Sequence, residues 1–378
     1  MSLRDIPMQH ATLISDEQRE LIRAVQAFLD KRSPEAEVRR LMEAGGAADP
    51  AVWAQIAQQL GLQGLAIPER YGGGGFGYLD LALVAECVGA ALLVAPLLST
   101  VAAAGAINFS DDEKLKSAYL PALASGDLVA TLAFAEDSGR WDAASVTTTA
   151  ATQSAAAVLT GTKMYVLDAM SAGALVVSAR SAAGVGLYIV DARAPGVTVS
   201  AMDALDLTRP LGRVDLAGAP ARPIVAGGPV SDVVDRVLAV AVTLLAAEQV
   251  GGAQRCLDMA VEYAKVRVQF GRPIGSFQAI KHKCADMLYD VESARSAAYH
   301  AASSLDNSHD SRAEAALAQA HCSAAYSRVA AENIQIHGGI GFTWEHPAQL
   351  HYKRAKSSEL LFGDPAAHRE RLGELLGI

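Results

Sequence analysis

The amino-acid sequence predicts a mainly α-helical protein with a small β domain in its middle. Apolar residues recur at helical spacing up to about residue 126, and short β-branched segments separated by Gly, Asp and Ser follow up to about residue 225. Helical spacing then returns from Ser231. We therefore expect a helical domain over residues 1–126, a β domain over 127–228 and a C-terminal four-helix bundle over 229–378.

Composition supports a large folded core. The chain has 378 residues, of which 51% are hydrophobic and 19% charged, and this balance excludes a disordered protein. Aromatic residues make up only 6%, so Ala, Val and Leu dominate the apolar content and favour helix. The net charge of −9 and the lack of a Lys/Arg block exclude a nucleic-acid-binding function.

Cysteine spacing and the chain start predict a cytoplasmic protein. The four cysteines contain no CxxC pair, which excludes a disulfide framework or a zinc site, and the histidines show no metal-ligand spacing. No basic start followed by an apolar run indicates a signal peptide. Residues 87–109 carry no charge, but Pro96 interrupts them and acidic residues follow. We expect two buried helices around a turn there, not a membrane span.

The elements are predicted in chain order as follows. Asp16 is expected to cap a first helix that buries Leu21, Ile22, Val25 and Phe28. Strands are expected at 128–135, 145–149, 157–159, 163–167, 174–178 and 186–190, with a turn at 194–197, as an antiparallel barrel or sandwich. Residues 237–247 are apolar all round and predict a helix inside a bundle, followed by helices over 278–305 and 311–336.

Two motifs in the C-terminal third suggest a ligand. In YAKVRVQFGRPIGSFQ (residues 263–278), Arg267 can offer planar donors to a phosphate or carboxylate, and Phe270 can pack beside a ring system. In QIHGGIGF (residues 335–342), paired glycines let the backbone approach an anion. Taken singly, the first motif is more typical of a helix-ending Arg with a hydrophobic anchor, and the second of an ordinary glycine-rich turn.

Together, in this order and behind a β domain, the motifs resemble those of the acyl-CoA dehydrogenase family, over nearly the whole chain. The resemblance implies FAD bound at a subunit interface. It implies that Arg267, Gly338 and Gly339 contact the pyrophosphate of the FAD bound to a neighbouring subunit. It further implies that Phe270, Gln278 and Gln335 line the nucleotide half of that FAD.

The residues with which this chain would bind the flavin end of its own FAD depart from the family pattern. We call these positions the flavin half. Where the family has a Thr and a Ser that contact the flavin ring and pyrophosphate, this chain has Ala135 and Trp141. The family's Trp-Ile-Thr flavin clamp corresponds to residues 165–167, where Tyr165 can still cover the ring but Leu167 has no hydroxyl.

The catalytic base is also missing from both family positions. Removal of the α-proton of an acyl thioester requires a carboxylate in a dry pocket. Most members place a Glu at the position of Phe362, and a branched-chain subgroup places it at the position of Ala241. Glu248, two helical turns after Ala241, is the candidate substitute, although a buried structural carboxylate is the competing interpretation. Glu359 and Asp364 are weaker candidates.

The resemblance therefore implies an acyl-CoA dehydrogenase that desaturates an acyl-CoA thioester and passes electrons to an electron-transfer flavoprotein. The residues that would contact a neighbouring subunit's FAD are all present, whereas the residues that would bind this chain's own flavin are partly replaced. We therefore expect a heterotetramer. In it this chain completes the FAD site of a related, base-carrying subunit, as in bacterial enzymes for steroid side-chain thioesters. The alternatives are a homomeric dehydrogenase that uses a displaced acid, a monooxygenase or oxidase of the same fold, and a purely structural partner subunit.

Overall fold

The computed structural model describes residues 14–153, 156–225, 230–307 and 310–378. Helices occupy the first third and the last two fifths of the chain, and one sheet lies between them. The predicted fold class, a helical domain, a β domain and a helical bundle, is confirmed. Helix gives way to strand between Ala124 and Ala130, and strand gives way to helix between Pro223 and Val230.

The N-terminal helices are α1 (Asp16–Arg32), α2 (Glu35–Glu43), α3 (Pro50–Gln55), α4 (Tyr78–Ala91), α5 (Leu97–Asn108) and α6 (Glu113–Ala124). The predicted cap of α1 was wrong by one residue. Ser15 is the N-cap, because its hydroxyl accepts from the Gln18 backbone while the Gln18 side chain accepts from the Ser15 backbone.

The uncharged stretch forms two helices, as predicted. It covers the last five residues of α4 and all of α5, which are separated by residues 92–96, and α5 is buried along nearly its whole length. Among the described residues, no helix is both long and apolar enough to cross a membrane.

The β domain contains β1 (Ala130–Ala133), β2 (Thr149–Gln153), β3 (Ala156–Leu167), β4 (Ala174–Ser181), β5 (Gly184–Asp191), β6 (Val197–Met202) and β7 (Leu211–Pro223). The strand order is β1-β4-β2-β3-β7-β5. Pairing of β4 with β5 closes a small barrel, and β6 adds to β7.

Several predicted strand details were wrong. The sheet is mixed, because β4 runs parallel to β1 and β2. Residues 143–145 form a 3-10 turn held by the Asp142 cap, so β2 begins only at Thr149. The segments 157–159 and 163–167 are one strand, β3, with irregular pairing near Gly161 and Tyr165. Strands β6 and β7 were missed, although burial alternates along much of each strand.

The C-terminal part consists of α7 (Val230–Val266), α8 (Gln278–Asn307), α9 (Arg312–His337), α10 (Ala348–Leu360) and α11 (Pro365–Leu376). A short hairpin of β8 (Val268–Gln269) and β9 (Arg272–Pro273) joins α7 to α8. The largest apolar cluster contains side chains from all three parts, including Ile107, Leu132 and Val234, so the β domain and the helices share one core.

Candidate functional site

The two sequence motifs meet at one end of the helical bundle. Helix α7 ends just before Arg267, and α9 ends at His337, next to the paired glycines. The rings of Tyr263 and His337 stack with centroids 4.3 Å apart, which fixes these helix ends side by side. The His337 Nδ1–H donates to the Asn333 carbonyl at 2.8 Å, and burial lowers the pKa of His337 below its ordinary value.

The side chains predicted to bind the nucleotide are exposed at this end. Arg267, Phe270, Gln278 and Gln335 are all accessible, and Phe270 is 92% exposed at the tip of the β8–β9 hairpin with φ +54°. Within the part of the chain that the structure describes, the Arg267 guanidinium makes no ion pair or hydrogen bond. Together with Gly338 and Gly339, these four residues form what we call the donor face.

The glycines of the donor face border open space. Gly338 has φ +65°, a conformation that glycine adopts without strain. A Cβ built on Gly338 or Gly339 would have no atom of the described residues within 4 Å. The chain therefore presents a cationic side chain and bare backbone to another molecule.

Apolar side chains surround the donor face. Val266 is 72% exposed and Phe342 83%, with Val268 and Ile340 also accessible. Exposed apolar residues clustered at one end of a molecule indicate an interaction surface rather than a solvated one.

A second site lies between the β domain and the helices. We call it the interdomain cleft; it has a volume of about 930 Å³. Its walls include Trp141 and Tyr165 from the β domain and Phe362 from the turn between α10 and α11. A volume of this size suits a small-molecule site.

Trp141 and Phe362 touch across the cleft. Their rings pack edge to face with centroids 4.9 Å apart, and Trp141 also stacks on Phe134 at 6.2 Å. Phe362 is buried and has φ +60°, a left-handed conformation that is uncommon for an aromatic residue. The two departures from the family pattern noted in the sequence are thus direct neighbours.

The remaining flavin-half positions offer little polar chemistry. Tyr165 lines the cleft with φ +56°. Ala135 and Leu167 are buried and contribute nothing to the cleft lining.

Glu248 does not line the cleft but belongs to a buried charge cluster whose Asp206 does. Its carboxylate accepts hydrogen bonds from Arg209 and, at 2.6 Å, from Arg354. Arg354 also donates to Asp206 at 2.7 Å. Burial alone would raise the pKa of Asp206, but Arg354 and Arg209 outweigh it and the pKa lies below its ordinary value. The cluster connects the β6–β7 turn to α7 and α10.

The other positions considered for the base lie in the apolar core or make hydrogen bonds within the chain. Ala241 is fully buried in the apolar core. Glu359 accepts from Lys356 at 2.7 Å and from Ser327 at 2.9 Å. Asp364 lines the cleft but caps α11, accepting from the Ala367 backbone at 2.8 Å.

Sequence reasoning missed two features of this region. The charge cluster was missed, because Glu248 and Arg354 are distant in sequence from the Asp206–Arg209 turn that they contact and no local pattern pairs them. His368 was not singled out, although it lines the cleft and its Nε2 lies 3.0 Å from the Phe362 carbonyl.

Comparison with known proteins decides the family. Models of the acyl-CoA dehydrogenase N-terminal, middle and C-terminal domains match residues 15–127, 131–211 and 232–377. The acyl-CoA dehydrogenase IpdE2 of Mycolicibacterium smegmatis is 36% identical over 360 residues, covering 94% of this chain and 98% of the relative. The chain belongs to the acyl-CoA dehydrogenase family.

Solved structures of this family superpose closely on the chain. A variant of the Tcur3481–Tcur3483 steroid ACAD is 29% identical, with a TM-score of 0.88 over 96% of this chain and 98% of that one. The ChsE4–ChsE5 complex from Mycobacterium tuberculosis gives the same identity, TM-score and coverage. Butyryl-CoA dehydrogenase from Megasphaera elsdenii is 25% identical with a TM-score of 0.89.

Acyl-CoA dehydrogenases are FAD-dependent oxidoreductases, and the two sites of this chain fit FAD unequally. The donor face fits it, because an unpaired guanidinium and an open, glycine-lined backbone suit a pyrophosphate. The interdomain cleft fits it poorly, because aromatic side chains meet where the family has small hydroxyl residues and a carboxylate.

Proposed function

We propose that this acyl-CoA dehydrogenase acts as the base-lacking subunit of a heteromeric enzyme. In that assembly it would complete the FAD site of a related subunit that carries the flavin clamp and the base. The observation that carries the proposal is the contrast between the open donor face and the cleft bridged by Trp141 and Phe362.

The donor face would hold the nucleotide end of the partner's cofactor. The Arg267 guanidinium would pair with the pyrophosphate, and the backbone at Gly338 and Gly339 would approach it without steric hindrance. Phe270, Gln278 and Gln335 would line the adjacent nucleotide half, with Phe270 already extended from the hairpin. FAD, when bound, supplies the hydride acceptor for desaturation of an acyl-CoA thioester.

The charged side chains that line the interdomain cleft are mostly acidic. Seven carboxylates but only four Lys or Arg side chains line it. Those cations are already paired: Arg140 with Asp142, Arg312 and Arg371 with Asp235, and Lys356 with Glu359. Among the described residues, the cleft itself therefore offers a pyrophosphate no unpaired cation, and that positive charge would have to come from a neighbouring subunit.

Relatives support a heteromer and suggest a substrate class. The ChsE4–ChsE5 structure is a complex of two named chains, and the Tcur3481–Tcur3483 protein is described as a steroid ACAD. We accordingly propose an acyl-CoA substrate of the steroid-derived type, reoxidation by an electron-transfer flavoprotein, and a cytoplasmic location.

Co-purification tests the proposal. A tagged copy of this chain expressed in its native host should bring down a second acyl-CoA dehydrogenase in equal amount, identified by mass spectrometry. That second chain should carry a Glu at the position of Phe362 or Ala241. Recovery of this chain only with itself, loaded with one FAD per subunit, would instead support a homomeric dehydrogenase.

A further inference from the structure

The contact between Trp141 and Phe362 joins the two walls of the interdomain cleft. Trp141 belongs to the segment between β1 and β2, and Phe362 belongs to the turn between α10 and α11. With Phe134 behind Trp141, the three rings form a continuous row from the sheet to the helices. We call this row the aromatic bridge.

His368 holds the Phe362 end of the bridge. Its Nε2 lies 3.0 Å from the Phe362 carbonyl, and because a carbonyl can only accept, Nε2 carries the proton. The ring also packs under Gly363, where a Cβ would lie 3.0 Å from Nε2. The left-handed Phe362 backbone is therefore constrained on its carbonyl side by one buried imidazole.

The anchoring helix is itself fixed. Asp364 caps α11, and Arg371 on the same helix pairs with Asp235 of α7 at 2.8 Å. His368 is 93% buried, and its Nδ1 is enclosed with no hydrogen-bond partner among the residues that the structure describes. A buried polar atom left unpaired is a cost that a purely space-filling residue would avoid.

We propose that His368 is a positioning residue that holds the aromatic bridge in the space a flavin ring would otherwise take. This inference rests on the proposed function, since it assumes that the chain's own cleft carries no FAD. Two packed domains with an empty ring-sized gap between them would lose stability through the cavity. The bridge fills part of that gap with the chain's own side chains and so lets the subunit fold without a cofactor.

Tryptophan fluorescence tests this positioning directly. The chain has three tryptophans, so Trp53→Phe and Trp344→Phe leave Trp141 as the only emitter. In that background, His368→Ala should raise the acrylamide quenching constant of Trp141 about twofold, because a released Phe362 turn opens locally. Phe362→Leu should raise it similarly, because it keeps an apolar side chain but removes the ring contact.

Two further variants separate positioning from general destabilisation. His368→Gln retains a side-chain N–H donor and should restore the parental quenching constant. His300→Ala removes an exposed histidine from α8 and should leave it unchanged. Should His368→Ala fail to fold, Phe362→Leu still tests the ring contact, and an unchanged quenching constant in that variant would overturn the aromatic bridge.

The outcomes distinguish this inference from the proposed function. A colourless chain whose Trp141 is quenched equally in the parent, His368→Ala and Phe362→Leu proteins would overturn the aromatic bridge and leave the half-site proposal standing. A parent chain that purifies with bound flavin would overturn the half-site proposal first, whatever the quenching shows.

Discussion

The arginines of this protein that matter most for function and for stability differ in burial and in pairing. Arg267 lies exposed at the end of the bundle and has no partner among the residues that the structure describes. Arg209 and Arg354 are buried and share the carboxylate of Glu248. An unpaired exposed guanidinium is available to a ligand, whereas a buried pair contributes to the fold and costs stability when it is broken.

Arg267→Ala should lower the FAD content of the assembled complex with little change in its unfolding temperature. Loss of a charge-assisted hydrogen bond costs about 1.5–3 kcal/mol, which corresponds to about a ten- to hundredfold weaker affinity. FAD titration of the apo-complex measures this. Lys265→Ala, which removes a neighbouring exposed cation paired with Glu262, is the matched control and should bind FAD normally. Normal affinity in Arg267→Ala would refute the pyrophosphate assignment.

Glu248→Gln should affect stability rather than catalysis. The substitution leaves two buried arginines without their shared carboxylate, at a cost of about 3 kcal/mol, while turnover of the complex stays within a few-fold of wild type. Glu262→Gln, at an exposed position, should change neither property. A fall in turnover of about 10⁴ with full FAD content would identify Glu248 as the catalytic base instead.

At the scale of elements, a buried ion pair shapes one wall of the cleft. Glu136, at the start of the segment that carries Trp141, accepts from Lys163 of β3 at 2.7 Å and from the backbone of Thr147 and Thr148. These bonds fold residues 136–148 back onto the sheet. Burial opposes ionisation, but Lys163 and Thr147 outweigh it and lower the pKa of Glu136 to about 2.

The stability that Glu136 contributes should therefore depend on pH. Because its pKa is lower in the folded state, the contribution is complete above about pH 4.5 and is lost as the pH falls toward 2. Urea unfolding should show Glu136→Gln less stable than wild type by about 3–5 kcal/mol at pH 7, with a smaller difference at lower pH. Glu136→Gln combined with Lys163→Met should recover much of the loss. A difference independent of pH would contradict this account.

For the whole molecule, the sequence predicted the domain architecture and which residues would form the donor face, but it did not predict the contacts inside the cleft. Helical periodicity and the motif around Arg267 are local signals, and the helices they predicted are present. The Trp141–Phe362 contact and the Glu248–Arg354 pair join residues more than 100 positions apart. No local pattern records such pairings, because they depend on how the β domain docks against the helices.

Rebuilding the flavin half in this chain should require several substitutions together. Trp141→Ser and Phe362→Glu would remove the aromatic bridge and return a carboxylate, while Ala135→Thr and Leu167→Thr would return hydroxyl groups. Each single change should leave the chain colourless, because the lost groups act as one site. The quadruple variant should gain FAD when expressed alone, as measured by flavin absorbance per chain. If one of the single variants binds a full equivalent of FAD, one replaced residue alone accounts for the lack of FAD binding, and this prediction is wrong.

The central claim is tested most directly by the flavin content of the wild-type chain, purified alone and then with its partner subunit. The half-site account predicts a colourless protein alone, and flavin absorbance in the complex equivalent to one FAD per pair of unlike chains. One FAD per subunit in the chain purified alone would contradict it, and an ordinary homomeric acyl-CoA dehydrogenase would then be the correct description.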